Sequence, residues 1–162
     1  MTLNFRTALP MLSIAFITLL LDQLTKVIIR KTVAISGTVE VIKGFFELNY
    51  AENTGAVFGV FRGGNSILIF IGVIAIAFVF VYYKQFKQDI WMRVSLGFIL
   101  GGALGNLADR LLYGFVTDFI RIRLWLFRLV WWPNFNIADA AVLIGAIMMI
   151  ISMFRRSYVG NT

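Results

Sequence analysis

Four stretches of the chain are almost wholly apolar, residues 8–28, 66–83, 94–112 and 136–154, and shorter polar segments separate them. The second has no charge between Arg62 and Lys84, which is enough helix to cross roughly 30 Å of hydrocarbon. The other three meet an acid early. Residues 7–21 are uncharged before Asp22, 94–108 before Asp109, and 140–154 after Asp139. Each such run makes only about 22 Å of helix. The helices are therefore predicted to continue through their acids, which places Asp22, Asp109 and Asp139 near the membrane boundary. The first run begins like a signal peptide, with Arg6 ahead of an apolar core. "LDQLTK" follows it where a cleavage site would need small residues, so a retained anchor is expected.

With four spans, the end of helices one and three and the start of helices two and four share one side. Asp22 closes the first span, Asp109 closes the third, Asp118 lies in the next loop, and Asp139 opens the fourth. Glu40, Glu47, Glu52 and Asn53 are in the first loop, on that side too, so only Asp89 of the eight acids is opposite. Lysine and arginine are denser on the N-terminal side but more numerous on the other, so charge counting leaves the orientation open. Residues 32–50, "TVAISGTVEVIKGFFELNY", alternate and are broken by Gly44, which predicts a short sheet or hairpin within a β-rich segment of about 32–64. Residues 119–132, "FIRIRLWLFRLVWW", mix arginine with tryptophan and phenylalanine. That composition suits an element lying flat among lipid headgroups, within an interfacial segment of about 113–134.

Composition narrows the chemistry. Of 162 residues, 60% are hydrophobic and 14% charged, against about 25% charged in a soluble domain. This is an integral membrane protein, and residues 1–162 are read as one domain. The chain has no cysteine and no histidine, which excludes disulfides, thiol nucleophiles, Ser-His-Asp triads and the usual zinc ligands. The net charge of +7 is explained by basic residues flanking spans and meeting anionic headgroups; no nucleic-acid motif accompanies it.

The polar residues fall into clusters. Gly97, Gly101 and Gly105 recur every fourth residue beside Gly102, a stripe that lets another helix approach closely. Asn106, Asp109 and Arg110 share one face at the end of the same helix, where Asp109 and Arg110 could form a boundary ion pair. Asp22 and Lys26 stand four apart, acid first, as a structural helical pair. Asn53 lies in "NYAENTGAVFG", a polar turn with Gly55 and Gly59. Asp118 and Asp139 are single carboxylates in apolar company; Arg121 is three from Asp118, but in a segment not read as helix. Asn136 is one turn before Asp139, placed to donate to it. A helix N-cap would explain Asp139, but not both. Two close carboxylates cannot both ionise easily, so one keeps a proton near neutral pH. The ionised member can then draw a proton from water while the protonated one activates a carbonyl, hydrolysis that needs no histidine. A proton- or ion-coupled transporter also uses lone intramembrane acids, usually at mid-bilayer. Acids at one edge better suit a substrate that arrives laterally, which favours an intramembrane aspartic hydrolase.

"DQLTK" (22–26), "NTGAVFG" (53–59), "GGALGNLADR" (101–110), "VTDF" (116–119) and "FNIADAAV" (135–142) resemble, in order, the blocks of lipoprotein signal peptidase, the bacterial signal peptidase II family. The resemblance implies an α-helical membrane protein of four transmembrane helices with a small extracytoplasmic β-sheet and an interfacial helix at 119–132 that covers the site. It implies an aspartyl endopeptidase that removes the signal peptide from diacylglyceryl-modified prolipoproteins, cutting before the lipid-modified cysteine. Asp118 and Asp139 would be catalytic. Asp22, Lys26, Asn53, Asn106, Asp109, Arg110 and Asn136 would bind substrate or support the dyad. One aspartate would take a proton from water; the other would polarise the carbonyl and then protonate the leaving amine. No cofactor and no metal is implied. The partners would be the prolipoprotein and membrane lipid, with the enzyme a monomer in the bacterial inner membrane. Both termini would be cytoplasmic and the site near the outer leaflet. The block "VTDF" departs from the family in carrying Thr117 where an aliphatic residue is common.

Overall fold

The computed structural model describes residues 5–55, 64–86, 89–124 and 130–159. Four long helices occupy the apolar runs: α1 (Phe5–Lys31), α3 (Asn65–Phe86), α4 (Ile90–Tyr113) and α5 (Ile137–Val159). All four are long and apolar enough to cross a membrane. As the short uncharged runs required, α1 continues through Asp22 to Lys31 and α4 through Asp109 to Tyr113. Asp139 stands in the first turn of α5.

The central element is α4, which packs against α1, α5 and α3. Its glycine stripe faces α1: a side chain at Gly97 would meet Ile14, at Gly101 Thr18, and at Gly105 Asp22. Without side chains there, the two helix backbones approach closely from Gly97 to Gly105. Gly102 turns instead towards α5, against the Ala138 carbonyl and the Val142 side chain. Leu96 and Leu100 then pack with Met11, Ala15, Val79 and Tyr83 in a core shared by α1, α3 and α4. At the end away from the acids, Asp89 caps α4 by accepting from the Met92 N–H at 3.1 Å and takes the Ser152 hydroxyl from α5 at 3.1 Å.

After α1 come a single helical turn, α2 (Val33–Ser36), and the hairpin of β1 (Val39–Ile42) and β2 (Phe46–Asn53). Gly44 sits at the hairpin turn with φ of 69°, a conformation costly for any residue with a Cβ. This is the sheet expected at 32–50, with α2 as an addition. Gly114, with φ of 81°, ends α4 and sends the chain into β3 (Val116–Leu124). A short β4 (Val130–Trp131) follows, and the antiparallel order is β1-β2-β3-β4.

The interfacial helix expected at 119–132 is not what the described residues form: 119–124 belong to β3, and 130–131 to β4. The reason is in the alternation of "FIRIRL". Ile120 and Ile122 interleave with Arg121 and Arg123 at period two, which suits a strand and would scatter both kinds around a helix. Arg121 packs over the Trp131 ring at 4.6 Å and meets Glu47 at 3.4 Å, so the arginine–tryptophan mixture serves cross-strand pairing. Residues 125–129, part of the predicted interfacial element, and 56–63, which include Gly59, lie outside the described residues.

The close contact at Gly102 makes a prediction. Gly102→Ala drives a methyl group into the α5 backbone, which cannot yield without moving the helix that carries Asp139. We expect it to lower the melting temperature in detergent by about 3–8 °C. Gly72→Ala, whose added methyl would lie 3.7 Å from Leu107, should leave it unchanged in the same thermal-unfolding measurement.

Candidate active site

The ends of α1, α4 and β2, the start of α5 and strand β3 meet at one place, and the nine residues proposed for the site from the sequence are there. Asp22, Lys26, Asp109 and Asn136 are fully buried, and Asp118 is 2% exposed. The cluster has two layers, distinguished by what faces the carboxylates.

In the inner layer the partner is a cation. Lys26 Nζ lies 2.8 Å from Asp22 Oδ2 and 3.3 Å from Asp109 Oδ2, joining α1 to α4. The second Asp22 oxygen accepts the Ala138 N–H at 2.9 Å, so this carboxylate occupies the N-terminus of α5, where free N–H groups and the helix dipole favour an anion. Asp109 accepts the Thr117 N–H at 2.9 Å and thereby holds β3. The expected pair of Asp109 with Arg110 does not form. Asp109 takes its cations from α1, Lys26 and Arg30, the latter at 3.5 Å. Adjacent residues on a helix diverge by about 100°, so Arg110 points elsewhere and donates to the Gly55 carbonyl at 3.3 Å.

In the outer layer the partners are amides. Asn136 precedes α5 and is its N-cap: its Oδ1 accepts the Asp139 N–H at 2.9 Å while Asp139 Oδ2 accepts the Asn136 N–H at 3.2 Å. That is a reciprocal capping arrangement, so the capping role considered for Asp139 is present. It occupies only one of the two Asp139 oxygens. The other accepts from Asn106 Nδ2 at 2.7 Å. The Asn136 side-chain amide then donates to Asp118 Oδ1 at 2.6 Å, and Asn53 Nδ2 donates to Asp118 Oδ2 at 2.8 Å. One asparagine thus bridges the two aspartates. Among the described residues, Lys26 reaches this layer through Asn106, whose Oδ1 accepts from Nζ at 3.0 Å. Burial, and after it the neighbouring Asp139 charge, pushes the Asp118 carboxyl up to about 7.

Two members of the cluster were not singled out in the sequence. Gln23 Nε2 donates to Asp22 Oδ2 at 3.1 Å and to the Gly105 carbonyl at 3.1 Å. Arg30 donates to Thr117 Oγ1 at 2.8 Å and lies over the Tyr113 ring at 4.4 Å. The signal for Arg30 was available: Asp22, Lys26 and Arg30 recur every fourth residue, one continuous face of α1. Among the described residues, no group of three or more acids is placed to hold a metal ion.

Residues 14–155 match the model of a family described as Signal peptidase (SPase) II. The chain belongs to the signal peptidase II family. Among its relatives are proteins called lipoprotein signal peptidase from Ralstonia nicotianae, 43% identical over 91% of this chain and 85% of the relative, and from Halothermothrix orenii, 36% identical over 91% and 97%. A solved structure described as a bacterial membrane enzyme superposes with a TM-score of 0.79 at 34% identity, covering 91% of this chain and 88% of that one. The protein is accordingly a peptidase of the bacterial inner membrane. Nothing among these relatives favours a transporter.

The inner layer can be tested by its central cation. Lys26→Met would leave Asp22 and Asp109 buried with half their compensation gone, which costs about 3–5 kcal/mol in comparable buried pairs. We expect a large loss of thermal stability. Glu47→Gln, which removes the partly exposed pair with Arg121, should cost about 1 kcal/mol or less.

Proposed function

We propose that Asp118 and Asp139 are the catalytic pair with which this protein removes the signal peptide from diacylglyceryl-modified prolipoproteins, cutting before the lipid-modified cysteine. The observation that carries this is Asn136, which holds one oxygen of each aspartate, by side chain and by backbone. Each remaining carboxylate oxygen has a single amide donor, so lone pairs are left to meet a water and a substrate carbonyl.

The two carboxyls differ in environment. Asp118 is the more buried and holds the shared proton near neutral pH. Asp139 is only partly buried and is the one that water can reach. In the reaction the water oxygen bonds to the scissile carbonyl carbon as Asp139 takes the water proton. The Asp118 proton first polarises the carbonyl oxygen and then passes to the amine as the carbon–nitrogen bond breaks. One proton remains on the dyad at the end, now on Asp139, and returns to Asp118 before the next turnover. Arg110 contributes a donor beside this centre: its Nε is buried without a hydrogen-bond partner among the described residues, suited to a substrate backbone carbonyl. Asn53 and Asn106 orient the aspartates, and Asp22, Lys26 and Asp109 hold the elements that carry them.

The substrate's acyl chains would be buried against the apolar helix faces, at about 0.8 kcal/mol per methylene, and would bring the peptide laterally to the dyad. Membership of the signal peptidase II family, not the charge count, supports both termini in the cytoplasm with the site at the outer leaflet. A single chain contains both aspartates, so a monomer suffices.

Asp118→Asn and Asp139→Asn should each fold as the unsubstituted protein does, yet lose at least about a thousandfold in cleavage of a diacylglyceryl-modified prolipoprotein in detergent. Near-normal turnover by either would remove that residue from the mechanism. The pH dependence has a definite sign. A carboxyl raised to about 7 is protonated below that value and ionised above it. Since the reaction uses its proton, kcat/KM should fall as pH rises through about 7, measured between about pH 5.5 and 9. A profile flat across that range would contradict Asp118 as the proton donor.

A further inference from the structure

We propose that Arg30 and Thr117 are a positioning pair for the dyad, holding the strand residue that directly precedes Asp118. The inference rests on the catalytic reading of Asp118 and extends it to two residues that touch neither water nor substrate.

Successive side chains on a strand point to opposite faces, so Thr117 turns away from the amides that surround Asp118. It is fully buried, and each of its polar groups is engaged. Its N–H donates to Asp109 at 2.9 Å, its hydroxyl accepts from Arg30 Nη1 at 2.8 Å, and its carbonyl accepts from Asn136 Nδ2 at 3.4 Å. These bonds come from α4, α1 and the start of α5 respectively. One residue of β3 is thus tied to three of the long helices.

The sheet offers weaker support at this point. The register of β2 with β3 shifts between Leu48 and Ala51, immediately before the pairing of Ala51 with Asp118. A bulge of this kind interrupts the ladder and bends the strand. Regular pairing on that side cannot alone set the direction of the Asp118 side chain, and the bonds at Thr117 supply the constraint. Arg30 is itself held, by Tyr113 at 4.4 Å and Asp109 at 3.5 Å, so it is a fixed point from which the hydroxyl can be pulled. Its Nη2 is buried without a hydrogen-bond partner among the described residues. Removing the hydroxyl would leave the guanidinium poorer still in acceptors.

Thr117→Val keeps the shape of the side chain and removes only the acceptor. Because a displacement of about 1 Å in a reacting group can cost a hundredfold, we expect kcat to fall about tenfold, with KM within about twofold of the unsubstituted value. Thr117→Ser, which restores a hydroxyl, should recover most of the loss. Arg30→Met should reproduce it, and the double variant should be no worse than the poorer single one, as for two halves of one interaction. The proposal is overturned if the valine and serine variants lose kcat equally, if KM moves in place of kcat, or if the effects of Arg30→Met and Thr117→Val multiply. Should Thr117→Val fail to accumulate folded, Arg30→Met and Thr117→Ser decide by the same split of kcat from KM. Asp118→Asn assayed beside them separates the two levels. An active Asp118→Asn would refute the dyad itself, whereas an inactive one with a fully active Thr117→Val would refute only the positioning pair.

Discussion

The arrangement depends on a lysine ammonium placed where three helices meet, shielded from bulk solvent. Lys26 is fully buried between Asp22 and Asp109. From these two carboxylates the remaining contacts follow: Asp22 receives the first turn of α5, and Asp109 receives β3. Removing two charges from water costs several kcal/mol per ion, and a buried pair often does no more than recover that. Its contribution is therefore registry more than stability. Apolar helices in lipid can slide or rotate past one another with little change in buried surface. A slip here would separate a buried ammonium from its carboxylates, and that penalty selects one register. The glycine stripe of α4 makes the close approach possible, and at Gly105 the stripe ends directly against Asp22.

Charge balance links this layer to the proposed dyad. Four carboxylates, Asp22, Asp109, Asp118 and Asp139, are gathered with three cations, Lys26, Arg30 and Arg110. The set is neutral when the dyad carries one proton. In a low-dielectric setting neutrality of the whole is worth more than any single contact, so the surroundings themselves favour the singly protonated dyad that hydrolysis requires.

Much of this was visible in the sequence because lipid simplifies the physics. Three uncharged runs too short to span required helices that pass through their acids, and parity then gathered seven of the eight acids on one side. The five blocks named the polar residues, and the structure brings all nine together. What the sequence concealed was of two kinds. In "FIRIRLWLFRLVWW" composition and periodicity pointed to different elements, and the period-two alternation of Ile120 to Arg123 decided for a strand. Partner choice was the other. Asp109 beside Arg110 looked like a pair, but which cation a carboxylate meets depends on the rotation of α4 against α1, set by the glycine contacts. Arg30 was hidden because a basic residue after a span is ordinarily a headgroup contact, and only the closeness of β3 makes it something else.

The contrast between the layers is the reason to give the chemistry to one pair of carboxylates and a structural role to the other. Asp22 and Asp109 share a cation, whose Nζ lies within 3.3 Å of both. Asp118 and Asp139 share an asparagine. An amide donates hydrogen bonds and fixes direction, but it brings no net charge to offset the repulsion between two carboxylates. A lysine at position 136 could hold the two side chains equally well, yet it would favour both as anions and leave no acid to protonate the leaving amine. Uncharged donors at 53, 106 and 136, with the cation kept one residue further away behind Asn106, orient the pair while preserving its need for a proton. On this reading, the distance of Lys26 from the dyad matters as much as its presence beneath it.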